Sequence, residues 1–217
     1  MRRQVKIKFL SEWQIATGFG DGYLSDNNLA QDEDGFLYIP GSTLKGFLRE
    51  AAGLISNCSK REDLKKAYED IFGTGTCANK ENIQGLIKVG GAYLPQDFKK
   101  LLKSYDDKTV RSYQEDMIVY RTAIALNAQK QIVSGSLRRL KCGIPYLEFI
   151  SDIEIMPSYF YKEEWLSGYL ETVCATVKSI GSSRTRGLGK CQLTVIGSEN
   201  KKIALPCQLL GGFCEER

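Results

Sequence analysis

The sequence of 217 residues predicts an α+β fold formed by a single domain spanning residues 1–217. Residues 4–10 alternate between apolar and polar side chains, which is typical of a half-buried strand. Residues 161–180 place apolar side chains at helical spacing and predict an amphipathic helix. Hydrophobic residues make up 42% of the chain, which is enough for a packed core and exceeds the disordered range.

The remaining elements follow from apolar periodicity and from turn residues. Ser42 is predicted to cap a first helix, because Pro40 and Gly41 precede it and an apolar stripe follows it. Residues 17–35 are rich in Gly, Asp and Asn and are predicted to form a long loop. Further helices are predicted at 62–72 and 97–104, the latter followed by a polar loop, and further strands at 84–94, 144–156 and 191–196.

Without insertions, the predicted order is strand, helix, strand, strand, helix, strand. This order is the ferredoxin-like, or RNA-recognition-motif-like, arrangement. Residues 119–140 contain two extended arms around a polar centre, and we expect them to form a β-hairpin that projects from the core.

Charge and composition narrow the classes of function. The net charge is only +4, but basic residues gather at 130–141 and 184–190, so a basic face is expected. Seven cysteines without a CxxC pair predict reduced thiols in a cytoplasm, and do not favour an ordinary zinc site. No apolar run is long enough to span a membrane. The chain has no histidine, so any nuclease activity is expected to use a metal ion.

The first candidate binding region is the helix segment, residues 40–49. Gly41 allows close approach of the main chain, and the helix N-terminus at Ser42 offers unpaired N–H groups to an anion. Lys45 and Arg49 add positive charge one helical turn apart. The alternative is an ordinary capped helix whose basic residues are solvated.

The second candidate is the glycine-rich segment, residues 181–190, which follows the predicted last helix. Its hydroxyl groups, guanidinium groups and main-chain N–H groups can surround a phosphate. The spacing of a Walker loop is missing, so nucleotide hydrolysis is not predicted. The alternative is a flexible basic turn. The expected RNA-binding residues here are Ser182, Ser183, Arg184, Arg186 and Lys190.

Taken together, the two segments resemble the paired motifs of the RAMP superfamily, the repeat-associated RNA-binding proteins of CRISPR systems. That family carries a PGSSLKG-type segment on its first helix and a C-terminal glycine-rich loop. Residues 40–46 read Pro-Gly-Ser-Thr-Leu-Lys-Gly, and residues 181–189 supply the loop. Residues 85–89 resemble the family's central strand, and residues 121–149 resemble its hairpin thumb with the following strand. The resemblance therefore covers nearly the whole chain.

Within the superfamily, size and layout are most similar to the backbone subunit of type III effector complexes. This resemblance implies copies of the chain along one CRISPR guide RNA, contact with target RNA and with other effector subunits, and no membrane partner. The sequence of the target RNA would then be recognised by base pairing with the guide, and the protein would not read it. The thumb, at about 119–140, is expected to enter the guide–target duplex, with Arg121, Arg138 and Arg139 as RNA contacts. The alternative for these arginines is solvated surface charge.

The resemblance also implies a catalytic loop upstream of the helix segment. Cleaving members place an aspartate six residues before a second one, and Asp26 and Asp32 have this spacing. Asp26 is the predicted catalytic residue and metal ligand, with Asp21 as runner-up, and Mg²⁺ or another divalent cation is the expected cofactor. Asn27 and Asn28 depart from the more apolar residues expected there.

Two alternatives to a target-cleaving enzyme stay open. One is a non-catalytic RNA-binding scaffold, in which the aspartates serve only the geometry of an acidic turn. The other is a guide-processing RNase, which the absence of histidine disfavours.

Overall fold

The structure, a computed structural model, describes residues 1–16, 28–59, 61–74, 83–125 and 127–197. Within these residues the architecture is mixed α+β with antiparallel sheets. The strands are β1 (Arg2–Phe9), β2 (Ile87–Tyr93), β3 (Ile118–Ala123), β4 (Arg138–Gly143), β5 (Glu148–Ile155) and β6 (Cys191–Ile196). The helices are α1 (Gly41–Ser59), α2 (Glu62–Phe72), α3 (Gln96–Lys103), α4 (Asp107–Asp116) and α5 (Glu163–Thr176).

A four-stranded sheet in the order β2-β5-β1-β6 carries the core, and β3 and β4 form a separate two-stranded sheet. The predicted alternation of β1 is confirmed, because Val5, Ile7 and Phe9 are fully buried. Helices α1 and α5 contribute buried apolar side chains to the same core, among them Leu44 and Leu170. Burying each such side chain stabilises the fold by about 1.5–3 kcal/mol.

The opposite face of β1 is polar, and its charges are paired with those of β5. Lys8 lies 3.2 Å from Glu148, and the Gln4 amide donates to Asp152 over 3.0 Å. Lys6 lies 3.7 Å from the same Glu148 carboxylate, so two lysines of this face share one acidic partner on β5.

The predicted bounds of α2 and β6 are confirmed, whereas other predicted elements are shorter or differ. The last helix ends at Thr176 instead of residue 180, because Val177 is already extended. The polar loop predicted after residues 97–104 is wrong, since helix α4 lies there. The Asp106 carboxylate caps α4 by accepting a hydrogen bond from the Thr109 N–H over 3.2 Å.

The prediction that Ser42 caps the first helix is also wrong. Helix α1 begins at Gly41, and the Leu44 N–H donates to the Pro40 carbonyl over 3.0 Å, so Ser42 lies inside the first turn. A Cβ atom on Gly41 would lie 2.4 Å from the Val89 carbonyl oxygen. The glycine therefore lets the start of α1 pack directly on β2.

Among the described residues, no helix is both long and apolar enough to cross a membrane.

Candidate nucleic-acid interface

The glycine-rich segment folds as a defined turn and is held in place by residues 11–14, which follow β1. A short 3₁₀ turn, Arg184–Arg186, is flanked by left-handed residues at Ser183 and Gly187. The Gly189 N–H donates to the Glu12 carbonyl over 2.7 Å. A Cβ atom on Gly189 would lie 2.0 Å from the Ile180 carbonyl oxygen, so only glycine allows this approach.

The three cations of the glycine-rich segment differ in their surroundings. One terminal nitrogen of Arg184, Nη1, lies 3.1 Å from each carboxylate oxygen of Glu50 on α1. Arg186 and Lys190 are exposed, and their side chains contact no partner in the part of the chain that the structure describes. The segment therefore holds one cation in an ion pair and presents two to a ligand.

Ser182 of this segment contacts Gln14, a residue that the sequence analysis missed. The Ser182 hydroxyl donates to Gln14 Oε1 over 2.6 Å, and the Ser182 N–H donates to the Gln14 carbonyl over 2.9 Å. Gln14 is buried, and its Nε2 has no hydrogen-bond acceptor among the residues that the structure describes. No periodicity or motif marks Gln14, so the local sequence carries no signal for its role beneath the segment.

The predicted RNA-binding cations of the helix segment donate to main-chain carbonyls. Lys45 Nζ donates to the Ile87 carbonyl over 3.1 Å, and Arg49 donates to the Gly73 carbonyl over 3.0 Å. Burial, and next the Arg49 charge, lower the pKa of Lys45 below its ordinary value. Both side chains therefore brace α1 against β2 and the end of α2, and their contact with RNA stays a prediction.

The structure brings the two predicted segments side by side. The contact is made by Arg184 of the glycine-rich segment and Glu50, which follows the helix segment by one residue. The Arg184 guanidinium also lies 5.0 Å from the centroid of the Phe47 ring. Gly41 and Ser42, at the start of α1, belong to the same helix.

The predicted thumb residues lie on β3 and β4, which pair as a two-stranded sheet. Arg121 Nε donates to the Glu12 carboxylate, and this hydrogen bond raises the pKa of Arg121 above its ordinary value. Arg138 and Arg139 are exposed and have no side-chain partner within the described ranges. Arg121 therefore ties the base of the hairpin to residues 11–14, while the other two arginines face solvent.

The hairpin also exposes large apolar side chains, which the sequence analysis did not single out. Ile132 and Leu137 expose 67% and 64% of their surfaces, and Tyr120 exposes 59%. The hairpin therefore presents apolar side chains as well as arginines to solvent.

Asp26, the predicted catalytic residue, and Asp21 lie outside the described residues. Asp32, the second aspartate of the family spacing, is described and is nearly buried. Its carboxylate forms an ion pair with Lys99 and accepts the N–H groups of Asp34 over 3.1 Å and of Phe36 over 2.9 Å. Asp32 therefore anchors the end of the acidic loop on α3.

The surroundings of Asp32 do not resemble a magnesium site. Lys99 lies 5.5 Å from the ring centroids of both Phe36 and Tyr93, so aromatic faces and an ammonium surround the carboxylate. Among the described residues, no group of three or more His, Cys, Asp or Glu side chains could hold a metal ion. The described donors therefore do not fit a divalent cation.

Comparison with known proteins identifies the family. The sequence model of the RAMP superfamily matches residues 6–192, so the chain belongs to the RAMP superfamily. No curated protein matches the sequence.

Solved structures share the fold at low sequence identity. One is a chain of a type III-B Cmr-beta complex bound to cognate target RNA, with TM-score 0.69, 11% identity, and coverage of 90% of this chain and 97% of that chain. A chain of the Cmr-beta complex in its apo state has TM-score 0.70 and 12% identity, with coverage of 91% and 98%. A chain of a type IV-B CRISPR complex has TM-score 0.58 and 14% identity, and 91% of each chain is covered.

Proposed function

We propose that this protein is a guide-RNA-binding backbone subunit of a type III CRISPR effector complex. The observation that carries the proposal is that the helix segment and the glycine-rich segment lie side by side, and that the glycine-rich segment exposes Arg186 and Lys190. Membership of the RAMP superfamily supports it, as does a fold shared with chains of CRISPR complexes. Other effector subunits, copies of this chain along the guide and a cytoplasmic location belong to the same proposal.

The mode of recognition in this proposal is sequence-independent. Exposed cations and the main-chain N–H groups of a glycine-rich turn suit phosphate oxygens, which carry no information on base sequence. The sheet order β2-β5-β1-β6, with α1 and α5 contributing to one core, supports the interpretation of the fold as ferredoxin-like.

The hairpin of β3 and β4 is proposed to act as the thumb that contacts the guide–target duplex. Its exposed apolar residues are suited to pack against unstacked bases, and Arg138 and Arg139 are suited to phosphates. Target RNA is the partner that this surface implies.

Binding of the full chain to a short single-stranded RNA, measured at several salt concentrations, tests the proposed function. If phosphate contacts dominate, affinity falls steeply as salt rises. An affinity that does not change with salt would contradict the proposal, and so would purification of the chain from its native cells without RNA or partner subunits.

We further propose that Asp26 supports cleavage of the target RNA with Mg²⁺ or another divalent cation. The resemblance of residues 21–35 to the family's catalytic loop supports this role. When bound, the ion would supply Lewis-acid stabilisation of charge on the reacting phosphate. Cleavage of guide-matched RNA by the assembled complex should be lost with Asp26→Ala, whereas cleavage that persists in this variant would exclude Asp26.

The second candidate function is a non-catalytic RNA-binding scaffold. It is favoured by Asp32, because the carboxylate of this second aspartate is bound to Lys99 and to main-chain N–H groups. The scaffold would be favoured if the assembled complex binds guide and target but does not cleave the target, whichever divalent cation is added.

A further inference from the structure

The contact between Arg184 and Glu50 uses only part of the arginine. Both hydrogen bonds to the carboxylate come from the same nitrogen, Nη1, over 3.1 Å. A guanidinium group has five N–H donors. Nε and the other terminal nitrogen, Nη2, have no acceptor among the described residues, and 39% of the side-chain surface is exposed. The ion pair therefore leaves the rest of the guanidinium available.

Phe47 fixes the same guanidinium group from a second direction. Its ring centroid lies 5.0 Å from the central carbon of Arg184. Phe47 is itself partly buried and packs against the core, so the ring is held in place. The guanidinium is thus held by the Glu50 carboxylate and by its position over an aromatic ring.

We propose that Glu50 is a positioning residue for RNA binding, holding Arg184 so that its remaining N–H groups meet a phosphate of single-stranded RNA. This inference rests on the proposed RNA-binding function. A long side chain held in its binding orientation loses less conformational freedom when the ligand arrives. Nε and Nη2 of Arg184 can then donate to a phosphate while Nη1 stays hydrogen-bonded to Glu50.

Simple electrostatics makes the opposite prediction, which gives a sharp test. Glu50 is a negative charge beside a surface that would bind a polyanion, so its removal by charge alone should strengthen RNA binding. If Glu50 positions Arg184, its removal should weaken binding. The sign of the change therefore separates the two effects.

The experiment compares Glu50→Gln with Glu62→Gln in the full chain, using a fluorescent single-stranded RNA at fixed salt. Glu62 is an exposed carboxylate on α2 without a side-chain partner in the described ranges, so it serves as the matched control. We expect Glu50→Gln to weaken binding about three- to tenfold, because Arg184 would keep its charge but contact the phosphate less well. Glu62→Gln should leave the affinity unchanged or slightly increase it.

A double-mutant cycle shows whether Glu50 acts through Arg184. Arg184→Ala should weaken binding. It should also reduce, by about one, the magnitude of the slope of log affinity against log salt concentration. In the Arg184→Ala background, Glu50→Gln should cause no further loss, because there is no guanidinium left to position. The ion pair is half-exposed, so the melting temperature should hardly change in either variant.

Failure of the inference can be told apart from failure of the proposed function. If the unmodified chain binds RNA and Glu50→Gln binds equally well or better, Glu50 does not position Arg184. Additive losses in the double variant would also overturn the inference. If the unmodified chain does not bind RNA, the proposed function is wrong and the inference falls with it.

Discussion

The helix segment and the glycine-rich segment contain similar charges but use them differently. Lys45 and Arg49 donate to the carbonyl groups of Ile87 and Gly73 and join secondary-structure elements. Arg186 and Lys190 are exposed and have no such contact in the described part of the chain. A charged donor that satisfies a main-chain carbonyl stabilises the fold, whereas a solvated cation on a turn contributes little until a ligand arrives.

Lys99, on α3, is a third cation held by the fold, and its partner Asp32 lies at the end of the acidic loop. Lys99 is 7% exposed and forms its ion pair with Asp32. Cations held by buried carboxylates or main-chain carbonyls should therefore affect stability when they are substituted, whereas exposed cations, together with the half-exposed Arg184, should affect affinity.

The largest effect is expected for Asp32→Ala. The substitution leaves Lys99 buried without its main partner, which lowers the free energy of unfolding by about 3–5 kcal/mol. Urea unfolding measures the change. The neighbouring Glu33→Ala is the matched control, because Glu33 is exposed and should change stability little. Equal effects at both positions would show that the ion pair does not anchor the loop.

A smaller loss of stability is expected for Arg49→Ala. The variant removes the donor to the Gly73 carbonyl and the donor to the Tyr68 hydroxyl, and the free energy of unfolding should fall by about 2 kcal/mol. Arg186→Ala should change it by less than about 0.5 kcal/mol. If the two variants unfold at the same urea concentration, the distinction between the segments is wrong.

The exposed cations should instead control affinity for RNA. Arg186→Ala is expected to weaken binding of a single-stranded RNA about tenfold and to lower the salt slope by about one. Lys108 is an exposed cation on α4, so Lys108→Ala serves as the control and should bind RNA as the unmodified chain does. A loss of the same size for Lys108→Ala would show that only net charge matters.

The smallest effect is expected in the hairpin. Arg138→Ala should leave binding of the guide alone unchanged and weaken binding of the guide–target duplex by about threefold, as for one exposed phosphate contact. Gel-shift titrations with the guide and with the duplex measure both quantities. Equal losses for guide and duplex would place Arg138 on the guide-binding surface instead of on a thumb.

The elements that sequence analysis predicted best are those with a one-sided apolar pattern. Helix α2 buries Leu64, Ala67 and Ile71 at helical spacing, and its predicted bounds are correct. Helix α4 buries no side chain, so no apolar stripe revealed it. Its cap at Asp106 was the available signal, and a single cap is too common in turns to predict a helix by itself.

The sequence by itself determined the membership of the chain in its family, most of the secondary structure and the two segments rich in glycine and cations. These properties depend on local composition and spacing. Only the tertiary structure decided which charges are held and which are exposed. Arg184 and Glu50 are 134 positions apart, Arg121 and Glu12 are 109 apart, and Lys99 and Asp32 are 67 apart. Contacts between such distant residues exist only after the core has brought their elements together, because local propensity does not encode them.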